Sequence, residues 1–265
     1  MTSVASIPAL PAAKVRALSF VSNPNPALED LLSVVHSDPA LSAGVLRAAN
    51  SAASAPVDRI KSVQTGVVRI GAGETRRIVL GVALSGSFTN LQRAGIDEDE
   101  LWRHLVGTAV LSDAIAWGTV EHSAAFTAGL LHDIGRLAMA SQWPDQYATV
   151  AELARRGIPS VEAERMCFGF DHVQHGVAIA EAWEFPEEIV HAIEHHHDTN
   201  FQGLAWAVVR GRELAGSLGI GDGLTPPEPL GDDSEASMLP VVDDLGGPDA
   251  VLARVGWYSG ALRSR

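Results

Sequence analysis

The sequence predicts an all-α fold built as two helical subdomains. Apolar residues recur at offsets of three and four along most of the chain, the spacing that gathers them on one helical face. The alternating apolar–polar pattern of a half-buried strand is absent. Alanine is abundant while aromatics make up only 6% of the 265 residues, which favours close-packed helices over a strand sandwich. No fixed-period repeat is present.

The elements follow in order. Pro11 to Val21 is a short amphipathic helix, ended by the turn Asn23-Pro24-Asn25-Pro26. Ala27 to His36 carries Leu28, Leu31, Leu32 and Val35 at helical spacing. Asp38-Pro39 reads as an N-cap with proline at the first helical position, where its missing N–H costs nothing. The helix it starts runs through Leu41, Val45 and Leu46 to Asn50-Ser51. Ser62 to Ile70 is helical and stops at Gly71-Ala72-Gly73. Glu74 to Phe88 follows, with Ile78, Val79, Val82 and Leu84 inward and Arg76-Arg77 solvated.

Asp97, with Glu100 three residues on, has the spacing of a capping box. Its helix runs to about Trp117 and carries His104. Glu121 to His132, Pro144 to Arg156, Pro159 to Phe168, and a helix capped by Asp171 come next. The turn Trp183-Glu184-Phe185-Pro186 leads to helix Glu187 to His197, and Phe201 to Leu218 closes this half. Residues 221–248 change to Gly, Pro and acidic residues, the composition of a loop or linker. Leu239 to Leu245 suits a helical turn inside it, and 249–265 a short C-terminal helix.

Composition narrows the function. A hydrophobic content of 46% supports a sizeable core. No run reaches the ~20 apolar residues that span a bilayer, and the N-terminus lacks the pattern of a signal peptide. The single cysteine, Cys167, excludes an internal disulfide and suits a reducing cytoplasm. Beside Met166 and Phe168 it reads as a small buried hydrophobe. Trp102, Trp183 and Trp206 read as core anchors. The net charge is −13, and eight acidic residues from Asp222 to Asp249 meet no Lys or Arg between Arg212 and Arg254. Such a chain is poorly suited to a phosphate backbone; Arg69, Arg76 and Arg77 read as a wet helix face.

The chemistry concentrates in Gly129-Leu130-Leu131-His132-Asp133-Ile134-Gly135. Leu130, Leu131, Ile134 and Leu137 face a core, and the adjacent His132 and Asp133 offer an imidazole and a carboxylate. That pair suits a divalent metal; the alternative is a buried hydrogen bond that closes the helix end. Nine of the ten histidines lie between His104 and His197. Among them, His122, His175, His191 and His195 read as neighbours or surface residues.

An ordered series of motifs carries a resemblance. It begins with His36-Ser37-Asp38-Pro39-Ala40-Leu41, Val45-Leu46-Arg47-Ala48-Ala49-Asn50-Ser51, Ile60-Lys61-Ser62-Val63 and Val68-Arg69-Ile70-Gly71. It continues with Leu101-Trp102-Arg103-His104, His132-Asp133-Ile134-Gly135, Phe170-Asp171-His172, Trp183-Glu184-Phe185-Pro186 and His196-His197. Together these resemble the HDOD family, the HD-related output domain of bacterial signalling proteins, over roughly residues 8–220. The resemblance implies a helical N-terminal part (8–92) and an HD-like helical bundle (96–220). It places His104, His132, Asp133, His172, His196 and His197 at the metal-ligand positions of the HD/HD-GYP superfamily. The superfamily's closing aspartate falls on Arg212, and a guanidinium cannot ligate a metal. Asp198-Thr199-Asn200-Phe201 stands where a GYP sequence would follow the paired histidines.

With those departures the expectation is a cytoplasmic, non-catalytic signal-transduction module. It would act through signalling proteins in trans, with no membrane, and no residue is assigned a catalytic role. No cofactor is expected, and an ion held by the residual donors would be Mn, Fe or Zn. The alternative is a metal-dependent phosphohydrolase acting on a nucleotide or cyclic dinucleotide. A third reading is a sensor that binds a nucleotide without turnover.

Overall fold

The computed structural model describes residues 12–21, 23, 25–51, 58–119, 122–200, 202–226 and 240–262. It is all α, with no strand among them. The chain divides into two compact units, Ala9–Ser87 with Ala253–Arg265, and Phe88–Leu252.

The first unit holds α1 (Ala12–Leu18), α2 (Leu28–His36), α3 (Pro39–Ala49), α4 (Val63–Ile70) and α5 (Ala72–Ser85), with a 3-10 turn at Ser19–Val21. Asp38 caps α3, its carboxylate accepting the Ala40 N–H with Pro39 at the first position. Ser62 caps α4. Only Gly71, at φ 88°, separates α4 from α5, so the expected Gly71-Ala72-Gly73 stop is one residue long and Ala72 already begins the next helix. The end of α14 (Pro248–Leu262), from Ala253 on, belongs to this unit. Trp257 donates to the Ala48 carbonyl (3.1 Å), Arg47 to that of Ala261 (2.7 Å), and the Tyr258 hydroxyl to Glu74. Arg76 departs from the expected wet face: it is buried and donates to the Phe20 carbonyl at 3.1 Å. Arg69 is exposed, as expected, and Arg77 is half-buried.

The second unit holds α6 (Glu98–Ile115), α7 (His122–Leu131), α8 (Ile134–Gln142), α9 (Pro144–Arg155), α10 (Ser160–Phe168), α11 (His172–Ala182), α12 (Glu187–Glu194) and α13 (Gly203–Ser217). Helix α6 is buried along most of its length and packs on α7 and α13, while α8 packs on α11. Asp97 caps α6 through the Glu100 N–H, and Asp171 caps α11 in a full capping box with Gln174. Residues 240–244 are helical inside the expected linker, of which 227–239 lie outside the described residues. The expectation of three tryptophan core anchors holds only in part: Trp102 is buried and Trp183 half-buried, but Trp206 is 43% exposed, because α13 turns that position outward. Cys167 is half-buried, and burial raises its thiol pKa.

The sequence reading ended a helix at His132 and carried its apolar face on to Leu137 without giving the residues after Asp133 a helix of their own. The structure breaks the helix at His132-Asp133 and restarts it as α8 at Ile134. Three glycine crossings surround that break. A Cβ on Gly129 would meet the α6 backbone at Ala109 (2.7 Å), one on Gly211 would meet Ser112 Oγ (2.5 Å), and one on Gly135 would meet the His172 carbonyl oxygen at 1.9 Å. Each crossing lies within three residues of a site residue: His132, Arg212 and Asp133.

Gly135→Ala has no flexible side chain to displace, only the α11 backbone. Overpacking costs roughly 1–3 kcal/mol, and this site belongs at the upper end. Calorimetry on the variant should show the melting temperature lowered by ~5 °C or more. An unchanged melting temperature would mean that α8 and α11 can separate freely.

Candidate metal centre

All six residues placed by the sequence come together in the second unit. His104 comes from α6, His132 and Asp133 from the turn after α7, His172 from the start of α11, and His196 and His197 from the turn after α12. They form two donor groups that share Asp133: His104, His132 and Asp133, and Asp133, His172, His196 and His197, with potential ligand atoms in each within 4.8 Å of one another. His104, His132, Asp133, His172 and His196 are each at most 4% exposed.

Backbone and carboxylate partners orient the rings. His132 Nδ1 bonds the Gly129 carbonyl (2.8 Å) and His196 Nδ1 the Ile193 carbonyl (2.7 Å). His172 Nδ1 bonds Glu164 Oε2 (2.6 Å). A carbonyl or carboxylate takes the ring proton, so Nε2 of each is left as a lone pair pointing inward. His132 Nε2 lies 3.2 Å from His104 Nε2, and His172 Nε2 lies 3.3 Å from His196 Nε2. Asp133 Oδ1 is buried without a hydrogen-bond partner and lies 3.3 Å from Nε2 of both His172 and His196.

An orphaned carboxylate oxygen among inward lone pairs fits a divalent cation in donor type, for Zn, Mn or Fe. The carboxylate faces both groups: Oδ2 lies 3.6 Å from His132 Nε2, on the side of His104, and Oδ1 faces His172 and His196. Arg212 also reaches this cluster, with Nη1 at 3.1 Å from the His196 carbonyl oxygen and 3.0 Å from His197 Nδ1.

Further residues complete the cluster, and the sequence reading singled out none of them for it. Arg136 is buried, with Nη1 at 3.3 Å from Asp133 Oδ2 and 3.0 Å from Asp222 Oδ2, and Nη2 at 3.2 Å from Ser160 Oγ. Asp222, counted above as part of an acidic stretch, also accepts from the Leu224 and Thr225 N–H groups. Glu164 is wholly buried and also accepts from the His172 backbone N–H (2.8 Å) and the Tyr147 hydroxyl (2.6 Å). Arg136 had one local signal, a cation three residues after Asp133 inside an apolar run. Glu164 and Asp222 had none.

Burial sets the protonation states. It lowers the pKa of His132, His196 and His197, and takes His104 down to about 4. Burial alone would raise Asp133, but Arg136, His132 and His172 outweigh it and hold the carboxyl well below its ordinary value. Asp222 is held low against burial by Arg136, and Glu164 by His172. Burial lowers Arg212, whereas Asp133 and Asp222 raise Arg136 against the same penalty.

The neighbouring His191, exposed, and His195, half-buried with Nδ1 2.9 Å from Asp198, stand outside both groups. His122 lies 3.4 Å from Asp113 and edge-on to Trp117. His175 is buried against Trp143 and Phe170.

An all-α protein in which an adjacent His-Asp pair and four further histidines converge on one carboxylate is of the HD type. Residues 7–199 match the model of the HDOD domain, and the chain belongs to the HDOD family. A curated relative, an uncharacterized protein of Treponema pallidum (strain Nichols), is 26% identical over 196 residues. The match covers 72% of this chain but only 38% of that relative. Among solved structures, an HDOD domain protein of unknown function from Geobacter sulfurreducens shares the fold (TM-score 0.74, 22% identity, 94% of this chain and 92% of that one). A candidate phosphohydrolase from Shewanella amazonensis SB2B gives 0.73 at 27% identity over 98% and 96%. A candidate signal-transduction protein from Marinobacter aquaeolei VT8 gives 0.74 at 25% identity, over 96% of this chain and 60% of that one. No helix among the described residues is long and apolar enough to cross a membrane.

Arg136→Met should leave Asp133 and Asp222 without their shared cation. Removing one partner of a buried pair costs about 3–5 kcal/mol, so chemical denaturation should show a loss of that order.

Protonation of the buried histidines also makes stability depend on pH. His104 takes its proton near 6.5 when unfolded but only at about 4 when folded, so the unfolded state binds more protons in between. Stability of chelator-treated protein should therefore fall as pH drops from about 6.5 to about 4. His104→Leu should flatten that slope in melting curves taken across this range.

Proposed function

We propose that this chain is a non-catalytic regulatory module of signal transduction that acts by binding protein partners, with the histidine cluster as the buried centre of its second unit. The observation that carries this reading is the closure of the cluster. Five of the six metal-type residues are at most 4% exposed, and a guanidinium bonds the sixth, His197. A phosphohydrolase of the HD type needs an open metal-bound water that meets its substrate. Here the donors are enclosed by protein, and Arg212 brings a positive charge against them. The candidate signal-transduction relative from Marinobacter aquaeolei supports the same class. The partners are other signalling proteins.

The second reading, a metal-dependent phosphohydrolase acting on a nucleotide or cyclic dinucleotide, is favoured by the two donor groups around Asp133 and by the Shewanella amazonensis relative. One experiment separates them. Full-length protein, loaded with Zn, Mn or Fe, is assayed against cyclic dinucleotides and bis-p-nitrophenyl phosphate beside His132→Ala. The regulatory module shows no more turnover than His132→Ala does. Turnover that disappears with His132→Ala would establish the hydrolase instead.

A further inference from the structure

The bonds around His197 run in one direction. Arg212 Nη1 donates to His197 Nδ1 at 3.0 Å. A ring nitrogen that accepts a hydrogen bond carries no proton, so neutral His197 keeps its proton on Nε2. That nitrogen lies 2.9 Å from His172 Nε2. His172 has given its own proton to the bond with Glu164 Oε2, so its Nε2 is the acceptor. Tyr147 donates to the other oxygen of Glu164 at 2.6 Å. The result is a continuous chain, Arg212 to His197 to His172 to Glu164, in which each of these bonds has one donor and one acceptor.

We propose that this chain of hydrogen bonds closes the His172–His196–His197 group to metal, so that the protein holds at most one divalent ion, at His104, His132 and Asp133. The inference deepens the reading of the cluster as non-catalytic. A metal in the closed group would need the Nε2 lone pair of His172, and one that also took His197 as a ligand would need that ring's Nε2 as well. Freeing the one on His197 moves its proton to Nδ1, where it would face the Arg212 N–H, two donors 3.0 Å apart inside the protein. Freeing the one on His172 breaks the bond from His197. The His104 group can rearrange without such a clash: His132 Nε2 accepts from His104 Nε2 at 3.2 Å, and that proton can move to His104 Nδ1, which has no partner holding its tautomer, while Asp133 Oδ2 lies 3.6 Å from His132 Nε2.

The test counts metal. Tag-free full-length protein is loaded with Zn²⁺ or Mn²⁺, desalted and analysed per chain. Wild type should hold no more than one ion, and Arg212→Asp one more than wild type. Adding His172→Ala to Arg212→Asp should remove the gained ion. Long-range ¹⁵N–¹H spectra of wild type should show His197 protonated on Nε2, a readout that stands even if Arg212→Asp fails to fold. Two ions in wild type, equal counts in wild type and folded Arg212→Asp, or a His197 proton on Nδ1 would each overturn the proposal. Turnover by a protein holding one ion would sink the non-catalytic reading and leave this inference standing. Two ions without turnover would do the reverse.

Discussion

The second unit is organised around one buried carboxylate. Asp133 sits in the turn between α7 and α8, 2% exposed. A charge placed there is costly unless it is paired. Arg136, one helical turn on, supplies the pairing guanidinium at 3.3 Å. This pair accounts for the helix break. Asp133 must leave the path of α7 to face the histidines, and α8 must begin at once to bring Arg136 back beneath it. Gly135 sits between them, where only a hydrogen fits against the His172 carbonyl. The carboxylate, its cation and the close approach of α11 are thus set by four consecutive residues, Asp133 to Arg136.

How much of this was legible in the sequence depended on how local the signal was. Caps are written within three residues, so Asp38-Pro39, Asp97 and Asp171 marked their helices correctly. The histidines could be placed in one cluster because they fall beside motifs of recognisable order. The helix end at His132 was read, but its restart at Ile134 was invisible, because Leu130, Leu131, Ile134 and Leu137 are all buried whether they share one helix or two. Glu164 and Asp222 were invisible for a different reason. Glu164 looks like any helical glutamate, and Asp222 like any acid in an acidic loop, until the fold sets them against His172 and Arg136. Arg76 was misread for the same reason: its acceptor, the Phe20 carbonyl, is 56 residues away. Periodicity reports which face is apolar; it does not report which long polar side chain reaches a distant backbone group.

Charge balance links the cluster's parts to its capacity for metal. Asp133, Glu164 and Asp222 bring three carboxylates, and Arg136 and Arg212 two guanidiniums, while burial keeps the histidines His104, His132, His196 and His197 neutral. The protein alone therefore carries a small net negative charge among these groups. One divalent ion would turn that into an equally small positive charge. A second would leave a large uncompensated positive charge in a region of low dielectric, where like charges repel several times more strongly than in water. Were Arg212 an acid, the same groups would carry a net charge of equal size with one ion and with two, so charge would no longer oppose the second. The guanidinium thus acts twice, by fixing the proton on His197 and by supplying charge that a second metal would otherwise bring. Both effects come from one side chain, carried to the cluster by the α13 crossing at Gly211.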